Sequence, residues 1–402
     1  MTGRVLHINV GESGFLARVA APVMAAVFDS EVENGAVVIE GRGTLMARPM
    51  SQLCDTLSAV GVECRDRMPL RLGGRIRPGG VKIDGSGGSQ SVSGLMFALP
   101  LLDAPSEIIV DNPVSVPYIY LTKEILGRYG VNVTVINDYK RLKILIPAPQ
   151  RYVAGLYREN HDGDWSAAAA FLCAAAICGR CSVTGLRKDS FQADKAVVGM
   201  LRSAGAFVRE HEGSVTVMRS PLHGFVSDCT QSPDLIPVLA SFAVYCEGLT
   251  EIKGMDRLSG KESDRAAAIG YMLSKAGVAY RRDGDSLRIE GMSLARRLMS
   301  GKMPRCGVYE TFKDHRMVMA VMLLGLPIEA MWSRRPAKKC PAAVDGHCDA
   351  MCDTMCDTMC DTMCDTMCDT MKGIVPDDYA PLSKSMPRFR DLWDSLRKSS
   401  SQ

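Results

Sequence analysis

Leu126-Gly127-Arg128-Tyr129-Gly130-Val131-Asn132-Val133-Thr134-Val135 reads as the end of a helix running into a strand. A glycine four residues after a leucine in a helical run suits the left-handed conformation that closes helices, because it has no Cβ to clash. Val131, Val133 and Val135 then alternate with other residues at the period of a strand, and Leu142 to Ile146 supplies a second strand after a turn. The pattern recurs at Leu57 to Gly61, Leu201 to Gly205 and Leu273 to Gly277. The four glycines lie 69, 75 and 72 residues apart. A helix plus paired strands, repeated at that interval, is an α/β unit that buries one sheet face under helices.

The chain has 402 residues, 47% hydrophobic and 23% charged, enough for two globular domains. A net charge of +3 gives no argument for nucleic acid or an anionic membrane as partner. The longest apolar runs, Ala167 to Cys178 and Met317 to Leu324, are too short to span a bilayer, and Met1 to His7 has no signal-peptide core. Of the 15 cysteines, six sit in one tandem tract. The rest are scattered through apolar segments, as expected for reduced thiols of a cytoplasmic protein.

In chain order, a strand (Val5 to Val10) precedes Gly11-Glu12-Ser13-Gly14, which turns into a helix carrying Arg18. The loop Gly85 to Gln90 follows Val81-Lys82-Ile83-Asp84 and leads into an apolar segment. Gly163-Asp164-Trp165-Ser166 opens an Ala-rich helix whose small side chains suit close packing at a domain centre. Turn residues at Ser220 to Gly224 suggest a domain boundary. The expected domains are 1–220, then 221–331 with 373–402. Residues 332–372 form a basic linker and a tract in which Cys-Asp-Thr-Met recurs five times. Its aspartates repel at helical spacing and it lacks a zinc pattern, so it reads as a disordered insert, not a metal site.

Two charged clusters stand immediately before apolar helical runs: Lys261-Glu262-Ser263-Asp264-Arg265 and Asp314-His315-Arg316. A cation at a helix N-terminus opposes the macrodipole, so two arginines there are misplaced for stability alone. They make sense if guanidinium and backbone N–H groups jointly hold a phosphate or carboxylate. The alternative is a solvated first turn capped by Ser263 or Asp264. Arg48 before Pro49, Ser89-Gln90 after glycines, Asp234 after Pro233, and Lys384 complete an anion-handling inventory. Asp234 and Glu262 are available for proton transfer. No catalytic Ser-His-Asp order, phosphate-binding Walker loop or His-Glu-x-x-His zinc motif is present.

At these residues the sequence resembles the enolpyruvyl transferases, in the branch that acts on shikimate 3-phosphate. The resemblance runs through Gly11 to Arg18, Arg48-Pro49, Ser89-Gln90, Gly163-Asp164-x-Ser166, Pro233-Asp234, the two clusters, and Ser383-Lys384-Ser385-x-Pro387. It implies an α/β fold of two domains, each built of βαβαββ units as an inside-out α/β barrel, the first domain incomplete. It implies transfer of the enolpyruvyl group of phosphoenolpyruvate to the 5-hydroxyl of shikimate 3-phosphate, with release of phosphate, in aromatic amino-acid biosynthesis. Gly14, Arg48, Gln90, Arg265, Arg316 and Lys384 would hold phosphoenolpyruvate. Ser89, Gln90, Asp234 and Lys261 would hold shikimate 3-phosphate. Asp234 would accept the hydroxyl proton and Glu262 would donate one.

The resemblance implies no cofactor, no metal, no nucleic acid and no membrane, and a monomeric cytoplasmic enzyme. It also implies about eighty residues ahead of the Gly11 motif, with a lysine, a serine and an arginine on the substrates. Gly88 and Ala167 stand where the family commonly has serine, and Ser259 where many members have arginine. A second reading is therefore a truncated, catalytically impaired relative that keeps the fold and binds anions weakly. An enolpyruvyl transferase acting on UDP-N-acetylglucosamine is disfavoured by the two charged clusters, and an RNA-end-processing enzyme by the charge balance.

Overall fold

The computed structural model describes residues 5–28, 35–138, 140–154, 161–332, 373–384 and 386–399. The first unit comprises β1 (Val5–Asn9), α1 (Gly14–Val27), β2 (Ala36–Glu40), α2 (Ser51–Ala59), β3 (Val62–Cys64) and β4 (Leu70–Gly74). The second comprises β5 (Gly80–Asp84), α3 (Gln90–Ala98), β6 (Ser106–Asp111), α4 (Val116–Arg128), β7 (Thr134–Asp138) and β8 (Arg141–Ile146). Then follow α5 (Trp165–Cys178), β9 (Arg180–Thr184), α6 (Val197–Ser203), β10 (Phe207–His211) and β11 (Ser214–Met218). The next complete unit is β12 (Val226–Asp228), α7 (Ile236–Ala243), β13 (Gly248–Lys253), α8 (Arg265–Ala276), β14 (Tyr280–Asp283) and β15 (Ser286–Gly291). The last elements are α9 (Leu294–Ser300), β16 (Gly307–Tyr309), α10 (His315–Trp332), β17 (Ile374–Pro376) and α11 (Phe389–Ser399).

Three sheets share one connectivity, β1-β2-β4-β3, β5-β6-β8-β7 and β12-β13-β15-β14. In each the first two strands pair in parallel across a helix, and the rest pair antiparallel. This is the βαβαββ unit that the resemblance implied, and it contains the helix and paired strands read from the repeat. All four repeat glycines take positive φ: 88° at Gly61, 78° at Gly130, 86° at Gly205 and 72° at Gly277. Each follows a helix and precedes the hairpin of its unit. The local signal thus became the global architecture.

Helices lie inside and sheets outside. In the second half, α5, α7 and α10 pack on one another. Every residue of α5 from Trp165 to Ile177 is buried, which only a helix built largely of alanine permits at such close range. Phe171 of α5 meets Phe389 and Trp393 of α11 at ring-centroid distances of 4.8 and 5.4 Å, so the C-terminal helix closes this core. In the first half, α1 lies against α3. A Cβ on Gly94 of α3 would stand 2.4 Å from the Arg18 carbonyl oxygen, so the two backbones touch directly.

Two expectations need correction. One core runs from Val10 to Ile146 and the other from Trp165 to Trp393. The division therefore falls between Tyr152 and Trp165, not near 220: α5, α6 and β11 bury their apolar faces against the later elements. Cys54 of α2 and Cys64 of β3 are not separate thiols but a disulfide, their Cα atoms 5.1 Å apart where the helix folds back on its strand. Among the described residues Cys173, Cys181, Cys229, Cys246 and Cys306 are free thiols. The Cys-Asp-Thr-Met tract lies outside the described residues, as do Ser385 and the side chain of Lys384, whose backbone ends the short turn Ala380–Lys384. Among the described residues no helix is long and apolar enough to cross a membrane, and no group of His, Cys, Asp or Glu is arranged to hold a metal.

Candidate active site

The first domain contributes a pair of guanidinium groups and a helix start. Ser13 caps α1, its hydroxyl accepting from Leu16 N at 3.0 Å. One turn on, Arg18 donates to the Gly14 carbonyl at 3.1 Å and to the Pro49 carbonyl at 3.0 Å. Arg48 arrives from the loop after β2. Ideal Cβ placement at Gly14 falls 2.6 Å from Arg48 Nη1 and 2.8 Å from Arg18 Nη1, so only glycine lets both cations approach. Burial and the neighbouring Arg48 charge lower the Arg18 guanidinium to about 10. Two cations crowded together with one nearby carboxylate form a place that favours an anion. Ser89 and Gln90 begin α3, and the buried Ser89 hydroxyl makes no capping bond.

The second domain contributes a charge network. Asp264 caps α8 by accepting from Ala267 N at 3.1 Å, as the sequence allowed. Arg265, 1% exposed, is enclosed by carboxylates. It donates to Asp234 Oδ1, Glu262 Oε2 and Asp314 Oδ2, each at 2.7 Å. Phe312 and Lys313 take φ of 54° and 56°, a strained turn that carries Asp314 inward to this arginine. Asp314 Oδ1 in turn accepts from Arg316 N at 2.9 Å at the start of α10. Lys261 Nζ lies 3.3 Å and Arg316 Nη2 3.9 Å from Asp234. Burial pushes the Asp234 carboxyl up, but Lys261, Arg265 and Arg316 outweigh it and hold the group well below the usual carboxylate range. Glu262 is likewise held low, burial being outweighed by Arg265 and Arg48. His315 is driven down to about 4 by burial and by Arg316 and Arg265, so it is neutral at pH 7.

The halves meet across one cavity of about 600 Å³. Arg48 Nη1 donates to Glu262 Oε1 at 3.3 Å across the divide. Gln231 Oε1 accepts from Val116 N at 2.9 Å, and Arg257 Nη1 donates to the Ser86 carbonyl at 2.6 Å. Arg48, Arg257 and Arg316 line the cavity, and each leaves a buried Nε–H without an acceptor. Unmet buried donors are rare in native proteins and mark a place where a partner belongs. Three such arginines on one cavity make its wall strongly cationic and suit it to an anion.

Of the residues expected from sequence, Arg48, Ser89, Gln90, Asp234, Lys261 and Arg316 line this cavity. Gly14 shapes it through Arg48. Arg265 and Glu262 are not on its lining; they stand behind it, Arg265 with its hydrogen-bonding groups already used by three carboxylates. For Glu262 the direction of its shift is opposite to that of a resting proton donor. Sequence reasoning missed Tyr118, Gln192, Asp194 and Arg257, which also line the cavity. None belongs to a dense cluster. Arg257 alone stood near one, eight residues before Arg265.

The family model for EPSP synthase (3-phosphoshikimate 1-carboxyvinyltransferase) matches residues 3–334. The 3-phosphoshikimate 1-carboxyvinyltransferase of Clostridium novyi is 31% identical over 323 residues, 79% of this chain and 70% of the relative. That of Pyrococcus furiosus is 34% identical over 323 residues, 80% of this chain and 74% of the relative. A solved EPSP synthase from Acinetobacter baumannii superposes with a TM-score of 0.61 at 17% identity, covering 97% of this chain and 79% of its own. Another structure of EPSP synthase from that organism gives 0.58 at 20%, covering 80% and 73%. The fold is therefore that of the enolpyruvyl transferases, and the chain belongs to the EPSP synthase family of transferases.

Proposed function

We propose that this cavity transfers the enolpyruvyl group of phosphoenolpyruvate to the 5-hydroxyl of shikimate 3-phosphate and releases phosphate. The observation that carries the reading is the set of three cavity arginines with unmet Nε–H groups beside an ionised Asp234. Arg48 and Arg316 take the carboxylate and phosphate of phosphoenolpyruvate, and Gln90 orients it, with Arg18 adding charge beside Arg48. Ser89 and Lys261 hold the phosphorylated acceptor. Each charge-assisted bond contributes about 1.5–3 kcal/mol, so several offset the cost of gathering two polyanions.

Asp234 accepts the proton of the attacking hydroxyl as its oxygen bonds to the enol carbon. The methylene carbon takes a proton, giving a tetrahedral ketal. Removing a methyl proton then expels phosphate and restores the double bond. Glu262 enters the cycle through Arg48. When the donor's carboxylate takes over Arg48, the smaller of the two attractions that keep Glu262 ionised weakens while Arg265 stays in place, and Glu262 moves toward carrying the proton for the methylene. Arg265 holds Asp234 and Glu262 at fixed separation and touches neither substrate.

The test is phosphate release from purified full-length chain supplied with both substrates. Release that requires both substrates supports the reading, and release with phosphoenolpyruvate alone, or none at all with a folded protein, rejects it.

A further inference from the structure

Asp194 has no part in the reaction just described, yet it lies on the same cavity. It is completely buried, in the short turn Ala193–Ala196 before α6. Its Oδ2 accepts from the Ser166 hydroxyl at the start of α5, and its Oδ1 is buried with no hydrogen-bond partner. The titratable groups that act on it are Asp164 at the start of α5, Tyr118 on α4, Cys229 after β12, Asp234 before α7, and Arg316 on α10. Arg316 is the one cation among them, and its nearest carboxylate, Asp234 at 3.9 Å, is shared with Lys261 and Arg265.

An ionised carboxylate in such a place would have one oxygen wholly unsolvated and would face a second carboxylate. A protonated one would turn its O–H toward the cavity and donate. We propose that Asp194 is a proton-carrying positioning residue, and that an anion bound at Arg316 is accompanied by a proton taken up on Asp194 Oδ1. An anion beside Arg316 offsets the positive charge that favours Asp194 ionisation and adds a negative neighbour. The proton then turns a repelling group into a hydrogen-bond donor. Its resting state is poised for this: burial first, then Asp234, push the Asp194 carboxyl up to about 6, against Arg316 and the Ser166 hydroxyl. This rests on the proposed anion site but not on the chemistry of transfer.

The experiment is difference infrared spectroscopy of the full chain against Asp194→Asn, in the protonated-carboxyl region, titrated from pH 4 to 8. A band lost in Asp194→Asn that disappears on raising the pH near neutrality is expected. Its absence overturns the proposal whatever binds. Ser166→Ala, which removes the donor to Oδ2, should move that titration upward, and covers the case in which Asp194→Asn does not fold. Adding phosphoenolpyruvate should shift the midpoint upward by about one pH unit or more, with matching proton uptake by calorimetry in two buffers. No shift despite measured binding overturns the coupling. Failure of phosphoenolpyruvate to bind rejects the substrate assignment instead, and inorganic phosphate then serves as the anion in the same titration.

Discussion

A Cβ on Gly14 would stand 2.6 Å from Nη1 of Arg48, closer than any ordinary carbon contact. The helix itself would welcome alanine there, since glycine is the poorer helix former. Gly14→Ala should therefore leave the melting temperature unchanged or raised, while pushing the Arg48 guanidinium off its place. The expected result is a rise of roughly ten- to a hundredfold in KM for phosphoenolpyruvate, the weight of one charge-assisted contact. KM for the phosphorylated acceptor should move far less. Steady-state kinetics with each substrate varied in turn decides it, and parallel changes in both constants would count against the geometry.

Arg265 and Arg316 look alike in sequence and should fail differently. Arg265 balances Asp234, Glu262 and Asp314 at 2.7 Å each. Arg265→Ala abandons three carboxylates and should cost about 3–5 kcal/mol of stability, as for broken buried pairs. Arg316 has its Nε unmet and only a 3.9 Å approach to Asp234, so Arg316→Ala should remain folded and lose turnover. Denaturant melts beside activity separate the two, and equal destabilisation would contradict this assignment.

Asp234 is held ionised across the working pH range by Lys261, Arg265 and Arg316 despite its burial. Asp234→Asn keeps the shape and removes the proton acceptor. It should lower kcat by about 10²–10⁴-fold, the usual contribution of a general base. Because the wild-type group titrates far below neutrality, the acid limb of the kcat profile should not report it. A variant with near-normal kcat would eliminate Asp234 as the base.

Stability against pH should show two opposing slopes. His315, lowered by burial from 6.5 to about 4, binds its proton more readily in the unfolded chain. Its contribution is complete above 6.5 and is lost as pH falls toward 4. Asp194, raised by burial from 3.8 to about 6, binds its proton more readily in the folded chain. Its contribution is complete below 3.8 and is lost as pH rises through 6. Between pH 4 and 6 the two oppose. Relative to wild type, Asp194→Asn should melt progressively lower on acidification through that window, and His315→Asn progressively higher. Melting curves from pH 4 to 7 test this, and identical profiles for both variants would refute it.

Much of this molecule was legible in the sequence because its signals are local. A left-handed glycine after a helix is a property of a few residues, and Gly61, Gly130, Gly205 and Gly277 fixed the unit without reference to anything distant. The charged clusters were equally local, but their meaning was not. That Arg265 turns inward to three carboxylates while Arg316 keeps an unmet Nε depends on where Asp234 and Asp314 arrive in space. Asp194 carried no signal at all, since a lone aspartate before a helix reads as a surface charge. The boundary expected near Ser220 failed for a related reason. A turn was visible there, but the destination of α5 was not, and an all-round apolar helix can be placed only by what surrounds it.

The contact between α1 and α3 has a bearing on how the site can evolve. With the carbonyl of Arg18 and the ring of Pro22 pressed against Gly94, this position has no room for a side chain to be enlarged. The spacing from Arg18 to Ser89 and Gln90 is accordingly set like a gauge block, by main chain and a rigid proline ring against a bare glycine. Selection for a bulkier or smaller ligand would find no adjustable shim on this wall, and would have to act through the opposite wall, where Lys261 and Arg257 reach in on long, variable arms.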